Sequence, residues 1–336
     1  MKKGLILFYS LLMGVGSIFA EESGPKAMPV VEKFTGTWCM WCPAGLALFD
    51  MIEAELSDQA IAISYHLSDP MSISAINNFK LYDRVEGVPS AFLNRDEELY
   101  LSPSYDKRTI INKASVSAPA SISVTAKWTD LSMTGIAIST QTTFTAAETN
   151  AYAIGYVLLA DGLTGTGSGW SQKNDLPTQS YYASDPYFKV YYDKPRVITD
   201  MVYNHIAVDA WGLDEGLDGT IETPIVAGAT QKYTYTADIS SNTLIQDKTK
   251  LTAVVLLIDR STNKIVNAAK IKVDGFVSDA VPGDLNEDGS VDVTDVVELI
   301  DLVLAGTYVA EADINGDNDV DVTDVVELID MVLAGE

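Results

Sequence analysis

Sixteen residues, Val291 to Gly306, return 29 positions later as Val320 to Gly335, and the copies differ only at Leu302 and Met331. Each copy follows an Asp-x-Asn-x-Asp run, so oxygen-bearing side chains recur at fixed intervals. They are Asp284, Asn286, Asp288, Asp292 and Asp295, then Asp313, Asn315, Asp317, Asp321 and Asp324. These occupy positions 1, 3, 5, 9 and 12 of a twelve-residue calcium loop, where a hard cation takes oxygen ligands. Ser290 and Asp319, at position seven, are expected to offer backbone carbonyls. Gly289 suits the tight turn of the first loop, and Asn318 takes its place in the second because Asn enters the left-handed region readily. A solvated acidic tail, the common form of such a charge run, accounts for neither the spacing nor the repeat. Two calcium ions and no organic cofactor are therefore expected. Six residues separate Gly306 from Asp313, too few for an entering helix. Each loop should feed one helix, opened by Asp295-x-x-Glu298 or Asp324-x-x-Glu327 as a capping box and closed by Gly306 or Gly335.

Paired loop–helix repeats of this kind, over residues 282–335, resemble type I dockerins. The resemblance implies docking to a cohesin-like domain of a scaffold protein in an extracellular, polysaccharide-degrading assembly. Near-identical copies imply two equivalent faces, and the contact positions of the family fall on Val293, Thr294, Ile300 and Asp301 and their counterparts.

Charge is distributed to match. The net charge is −25, no Lys or Arg follows Lys272, and sixteen acids lie between Asp284 and Glu336. Such a balance argues against nucleic acid as a partner. At the other end, Met1-Lys-Lys-Gly precedes a largely apolar Leu5–Phe19 run that ends at Ala20 before two Glu. This pattern predicts a signal peptide over 1–20, hence an exported protein, secreted, surface-associated or periplasmic. No later segment has the apolar length to span a bilayer.

Cys39 and Cys42 are the chain's two cysteines, in Trp38-Cys-Met-Trp-Cys-Pro43. A strand-like Pro29–Phe34 precedes them, and Leu48, Phe49, Ile52 and Leu56 follow at helical spacing. A dithiol between a strand and a helix start reads as a redox site, because backbone N–H groups and the helix dipole there stabilise a thiolate. Cys39, the first of the pair, is the expected nucleophile and Cys42 the resolving thiol. A structural staple is the competing reading, but so short a loop contributes only about 2 kcal/mol against about 4.7 for a loop of 100 residues. A two-cysteine zinc site would lack ligands.

Together with Gly87-Val-Pro89, this stretch resembles the thioredoxin superfamily, which implies a cis Pro89 against the disulfide and a site of Cys39, Cys42 and Pro89. Phe34-Thr-Gly-Thr-Trp-Cys, His66-Leu-Ser-Asp-Pro-Met71 and Val88-Pro-Ser-Ala-Phe-Leu-Asn-Arg95 resemble a narrower group, the twenty-eight-kilodalton outer membrane protein family, in which a β-rich domain follows. Many thioredoxins carry a buried Asp six residues before the first Cys; Lys33 stands there, with Glu32 beside it. His66, ending a predicted strand at the functional edge of an α/β sheet, is read either as a substitute proton carrier or as a hydrogen-bonded histidine.

From Pro119 the pattern changes to alternation. Ile122, Val124, Ala126 and Trp128 alternate with polar residues, and Tyr152–Ala160, Gln231–Ile239, Leu251–Asp259 and Lys264–Val273 read similarly. An immunoglobulin-like β-sandwich is expected. Between strands, Gly162–Arg196 is aromatic-rich, and such a long segment is either a ligand-gripping loop or a clamp over neighbouring structure.

The expected architecture is multidomain α+β. It comprises a thioredoxin-like α/β domain with a largely parallel sheet (27–117), a β-sandwich (119–275) and a small all-α dockerin-like calcium module (282–335). The expected activity is thiol–disulfide oxidoreductase acting on a thiol or disulfide protein substrate; no glycosidase carboxylate pair stands out. The alternative is a non-catalytic binding or scaffold component that uses the first two domains as interaction surfaces.

Overall fold

The computed structural model describes residues 24–336, apart from 131, 278–282, 287–289, 310–311, 316, 318 and 335–336. The signal-peptide expectation and the roles of Asp288, Gly289, Asn318 and Gly335 lie outside the described residues.

The chain begins with β1 (Val30–Thr35), whose six residues are all buried. Helix α1 (Pro43–Leu56) follows the cysteine turn, then β2 (Ile61–His66), β3 (Ser90–Leu93), the short β4 (Glu97–Glu98) and α2 (Pro103–Ala114). Next come β5 (Ala120–Trp128), β6 (Gly135–Phe144) and β7 (Tyr152–Ala160). The aromatic segment supplies β8 (Gln172–Lys173), α3 (Pro186–Tyr192) and β9 (Val197–Ile198). Strands β10 (Ile206–Trp211), β11 (Thr230–Asp238), β12 (Leu251–Asp259) and β13 (Lys264–Lys272) complete the sheets, and α4 (Val293–Ala305) and α5 (Val322–Ala334) end the chain.

Eight strands form one mixed sheet in the order β13-β12-β7-β10-β2-β1-β3-β4. Strands from both sides of residue 118 thus share hydrogen bonds. The join is β10, which runs parallel to β2 on one side and antiparallel to β7 on the other. The expectation of a largely parallel sheet is corrected: only β1–β2 and β2–β10 are parallel pairs, and the other neighbours are antiparallel. The reason is local. β12 and β13 form a hairpin, and β3 returns against β1 without a crossover helix.

Near-continuous apolar runs in β2, β7 and β12 follow from burial on both faces. Along β7, Ile154, Tyr156 and Leu158 face one core while Val157 and Leu159 face another; in β12, Val255 and Leu257 alternate with Val254 and Leu256 in the same way. An antiparallel sheet of β5, β6 and β11 covers the first of these faces through Trp128, Ile136, Ile138 and Phe144. The sandwich therefore takes a different form from the immunoglobulin-like one expected. Its second layer is the sheet that also carries β1 and the cysteine turn. Helix α1 covers the edge half of that sheet, packing Leu48, Phe49, Met51, Ile52 and Leu56 on Val31, Ala62, Ala91 and Leu93.

Helices α4 and α5 have a core of their own, with Val296, Leu299, Ala312, Val320 and Leu328 buried. Equivalent positions of the two copies, Leu299 and Leu328, are both fully enclosed. The capping expectation moves by three residues. Asp292 is the N-cap of α4 and Asp295, at N3, closes the box, because Asp292 reaches the Thr294 N–H while Asp295 returns to the Asp292 N–H. Gly306 ends α4 in the left-handed conformation, which Gly adopts without penalty.

Candidate functional site

Cys42 is the N-cap of α1 and Pro43 its first residue, a position where Pro sacrifices no hydrogen bond. Cys39 and Cys42 form a disulfide with Cα atoms 5.3 Å apart. The Cys39 sulfur is 3.3 Å from the Val88 carbonyl oxygen, and the Val88–Pro89 peptide is cis. Cys39 is 6% exposed and Cys42 not at all, while Trp38 and Met40 beside them are about half exposed, at 50% and 48%. Trp38 is held by an indole N–H donated to the Leu67 carbonyl at 2.7 Å. This requires glycine at 36, since a Cβ there would lie 2.6 Å from the indole nitrogen.

Beneath α1 lies a polar layer. In the parallel register Lys33 faces Ser64 and Thr35 faces His66, so these side chains share the face that the helix covers. The Lys33 amine donates to the Gly45 carbonyl at 3.3 Å and sits 3.9 Å from the Phe49 ring centre. Burial lowers its pKa to about 7 against the opposing pull of Asp50. Asp50 accepts the Tyr191 hydroxyl at 2.8 Å, and burial pushes its carboxyl upward. His66 and Asp69 meet at 2.7 Å with both side chains enclosed. Burial holds His66 below its usual range, so a neutral ring donating from Nδ1 fits the pair. Asp69 also accepts the Thr37 N–H at 2.9 Å, tying His66 to the turn before Cys39. Ser64 Oγ and His66 Nε2 are buried without a partner among the described residues.

Above the turn lies the aromatic segment, which is folded rather than irregular. Gln172, fully enclosed, donates to the Cys39 carbonyl at 2.9 Å and the Thr37 carbonyl at 3.3 Å. Backbone bonds from Lys173 to Thr37 and from Asp175 to Met40, both 2.8 Å, fasten the segment along the cysteine turn. Leu176, Phe188, Tyr191 and Ile198 pack on Ala44, Leu46 and Ala47 of α1. A groove of about 320 Å³ opens beside Pro89, lined by Trp41, Ala44, Tyr100, Tyr182 and Phe188. Sequence reasoning gave no role to Gln172, Asp50 or Asp69: a lone Gln172 or Asp50 carries no periodic or motif signal, and Asp69 stood in the His66–Met71 stretch only as part of the resemblance. The packing role of the aromatics was the clamp reading.

In the acidic repeats, Asp295 and Asp324 are fully enclosed. Asp295 accepts N–H bonds from Leu285 and Asn286 on one oxygen and from Asp292 on the other, at 2.8 to 3.0 Å. Asp324 repeats this with Ile314, Asn315 and Asp321 at 2.9 to 3.2 Å. Asp313 and Asn315 both accept the Asp317 N–H, at 3.0 and 2.8 Å, curling the second loop inward. Asp284 is buried at the start of the first loop. Among the described residues no three acidic, His or Cys side chains stand at metal-holding distance; the position-12 carboxylates are turned to loop N–H groups. The donor chemistry fits calcium: every candidate ligand is a hard oxygen, and three buried carboxylates, Asp284, Asp295 and Asp324, lie in a stretch without Lys or Arg.

Residues 282–333 match the dockerin type I domain. No curated protein matches the chain. Among solved structures the chain is similar to HBP35 of Porphyromonas gingivalis, with a TM-score of 0.54 and 13% identity over 76% of this chain and 79% of that one, a likeness of fold. It is more distantly similar to a protein from Agrobacterium tumefaciens, with a TM-score of 0.41 and 19% identity over 75% and 97%. A domain of the outer membrane lipoprotein Omp28 from Porphyromonas gingivalis follows at 0.24 and 15% identity over 47% and 91%. No helix among the described residues is long and apolar enough to cross a membrane.

Proposed function

We propose that the protein is an exported thiol–disulfide oxidoreductase of thioredoxin-like design, docked by its C-terminal calcium module to a cohesin-like domain of an extracellular, polysaccharide-degrading assembly. The observation that carries the redox part is the Cys39–Cys42 disulfide at the N-terminus of α1, with the Val88 carbonyl against Cys39 and an apolar rim of Trp38, Met40 and Trp41. A substrate thiolate would attack Cys39, the more accessible sulfur, and Cys42 would leave as a thiolate supported by the helix terminus. Pro89 and the neighbouring aromatic groove would hold the substrate chain.

The domain match carries the docking part. Asp284, Asn286, Asp288, Ser290, Asp292 and Asp295 would hold one calcium ion, and Asp313, Asn315, Asp317, Asp319, Asp321 and Asp324 a second. Val293, Val297, Ile300 and Leu304 on α4, with Val322, Val326, Ile329 and Leu333 on α5, form equivalent exposed apolar stripes at helical spacing. A cohesin face that is apolar at its centre would fit either one.

The depth of the disulfide favours a second reading, a non-catalytic interaction protein, because Cys39, a residue only 6% exposed, admits few nucleophiles. One experiment separates the two. The full-length protein and Cys39→Ser are assayed for disulfide exchange with a reduced peptide dithiol. Turnover in the parent and at least a 100-fold loss in the variant support the redox reading, and a parent no faster than the variant supports the second. For docking, cohesin binding is measured with calcium and with a chelator; binding that survives chelation removes the calcium assignment.

A further inference from the structure

We propose that the outer edge of β11 joins two copies of this chain, the strands pairing antiparallel across a two-fold axis so that their three-stranded sheets become continuous.

β11 ends the sheet of order β11-β6-β5. It pairs with β6 from Thr230 to Asp238 without a register shift, and among the described residues no strand lies on its other side. Such an edge offers unpaired N–H and C=O groups to another chain, and proteins usually shorten, bulge or cover it. Other edges of this molecule are treated in that way. β4 has two residues. β13 is covered at Asn267, whose side chain accepts the Met28 N–H at 2.9 Å and donates to the Ala120 carbonyl at 2.7 Å. β5 is covered by residues 274–277, with the Trp128 N–H donated to Gly275 and the Asp274 N–H to Ala126. β11, by contrast, has nine residues and no Pro, against about five or six in a usual strand.

The ladder decides which groups face outward. Ile239 donates its N–H to the Thr134 carbonyl at 2.9 Å, and the Tyr233 carbonyl accepts the Thr140 hydroxyl at 3.0 Å. Odd-numbered residues therefore turn their backbone groups to β6, and alternation turns those of Lys232, Thr234, Thr236 and Asp238 to the free edge. The side chains of the same four residues are exposed.

Charge selects a second copy as the occupant and fixes the register. Lys232 has no ion-pair partner among the described residues. Asp238 accepts the Ser240 N–H at 2.9 Å, and its hydrogen bonds with Ser240 hold its carboxyl below the usual range. When Lys232 of one copy faces Asp238 of the other, Thr234 faces Thr236, and the two-fold axis repeats both pairs. The facing residues are then all outward-turned, as the hydrogen bonds of such a ladder require. Opposite charges and Thr–Thr are favourable cross-strand pairs, whereas like charges are not, so a register with Lys232 against Lys232 is disfavoured. A strand that complements itself in this way is what a two-fold interface needs. On the inner face, Tyr235 stacks on Tyr156 at 5.2 Å and meets Trp211 at 5.4 Å. Tyr235 would lie on the axis and extend this cluster from one copy to the other.

Sedimentation velocity of the full-length protein at low salt, where surface charges are little screened, provides the test. Edge pairing of one strand is small against the roughly 1,200–2,000 Å² of a standard interface, so a reversible dimer is expected at about 10–100 μM. Lys232→Asp and Asp238→Lys each place like charges opposite one another and should weaken the dimer at least tenfold. The double variant, Lys232→Asp with Asp238→Lys, restores opposite charges and should recover the parent's association. Thr236→Pro removes an outward N–H without touching the bonds to β6, and should leave a monomer of parental thermal stability. If Thr236→Pro does not fold, the charge swaps decide. A parent that is monomeric at every concentration overturns the second copy as occupant, leaving the edge to a strand of another protein. A dimer that none of these changes weakens overturns β11 as its interface, and one that the double variant fails to restore overturns the Lys232–Asp238 register.

Discussion

An amine enclosed beneath a helix carries a cost that depends on pH, and Lys33 shows how. Its folded pKa of about 7 lies below the ordinary 10.5, so the unfolded chain holds the extra proton between those values. Stability from this residue therefore rises as pH climbs from about 7 to about 10.5, and the burial cost is complete below pH 7. At 1.36 kcal/mol per unit, that cost is on the order of 5 kcal/mol. Lys33→Met is expected to unfold at higher urea than the parent at pH 6, with the gap closing by pH 10, as read by tryptophan fluorescence. Neither the burial nor the direction was legible in the sequence. Lys33 was visible there only as a departure from the acid that the resemblance implies. Its enclosure comes from α1, whose Gly45 leaves the room that the lysine stem fills.

Helices α4 and α5 show the opposite case at the scale of elements. Their apolar spacing and the stop at Gly306 are local signals, and α4 follows them within a residue. The start was misjudged by three residues because Asp292 and Asp295 serve both loop and cap, and a box built from Asp looks like a further metal ligand in sequence. Asp295→Ala removes the acceptor of three loop N–H groups and leaves them to compete for water. The expected loss is about 2–4 kcal/mol for the terminal module, with one calcium ion fewer bound in titration calorimetry. Asp324→Ala should do the same for the second copy. Calcium-dependent protection of the module from protease is the companion measurement, and its cysteine-bearing neighbour should not respond.

Across the whole molecule, the cysteine turn is held from below by β1 and β2 and from above by a segment more than 130 residues later in the chain. Gln172 is the pin, with its amide shared among the Gly36, Thr37 and Cys39 carbonyls. Gln172→Ala removes a shared donor while these oxygens keep the backbone N–H groups of Cys39, Lys173 and Cys42, so about 0.5–1.5 kcal/mol of local stability should go with it. Looser closure admits reductant, so reduction of the disulfide by dithiothreitol is expected to quicken several-fold, measured by thiol release. A rate equal to the parent's would show that the segment does not guard the disulfide.

Spacing alone determined the duplicated acidic loops, their helices, the cysteine turn before α1 and the strands β7 and β12, whose ends were read to the residue. Each is a pattern that repeats within one or two turns of helix or one strand, so the chain states it locally. The tertiary structure decided what no such period can state. It placed β10 between β2 and β7, making one sheet of two sequence regions, folded the aromatic segment over the disulfide, and closed α1 over Lys33. Each of these depends on register and burial between residues far apart in the chain, where hydrogen bonding and desolvation are settled by the partner that arrives rather than by the neighbours in sequence.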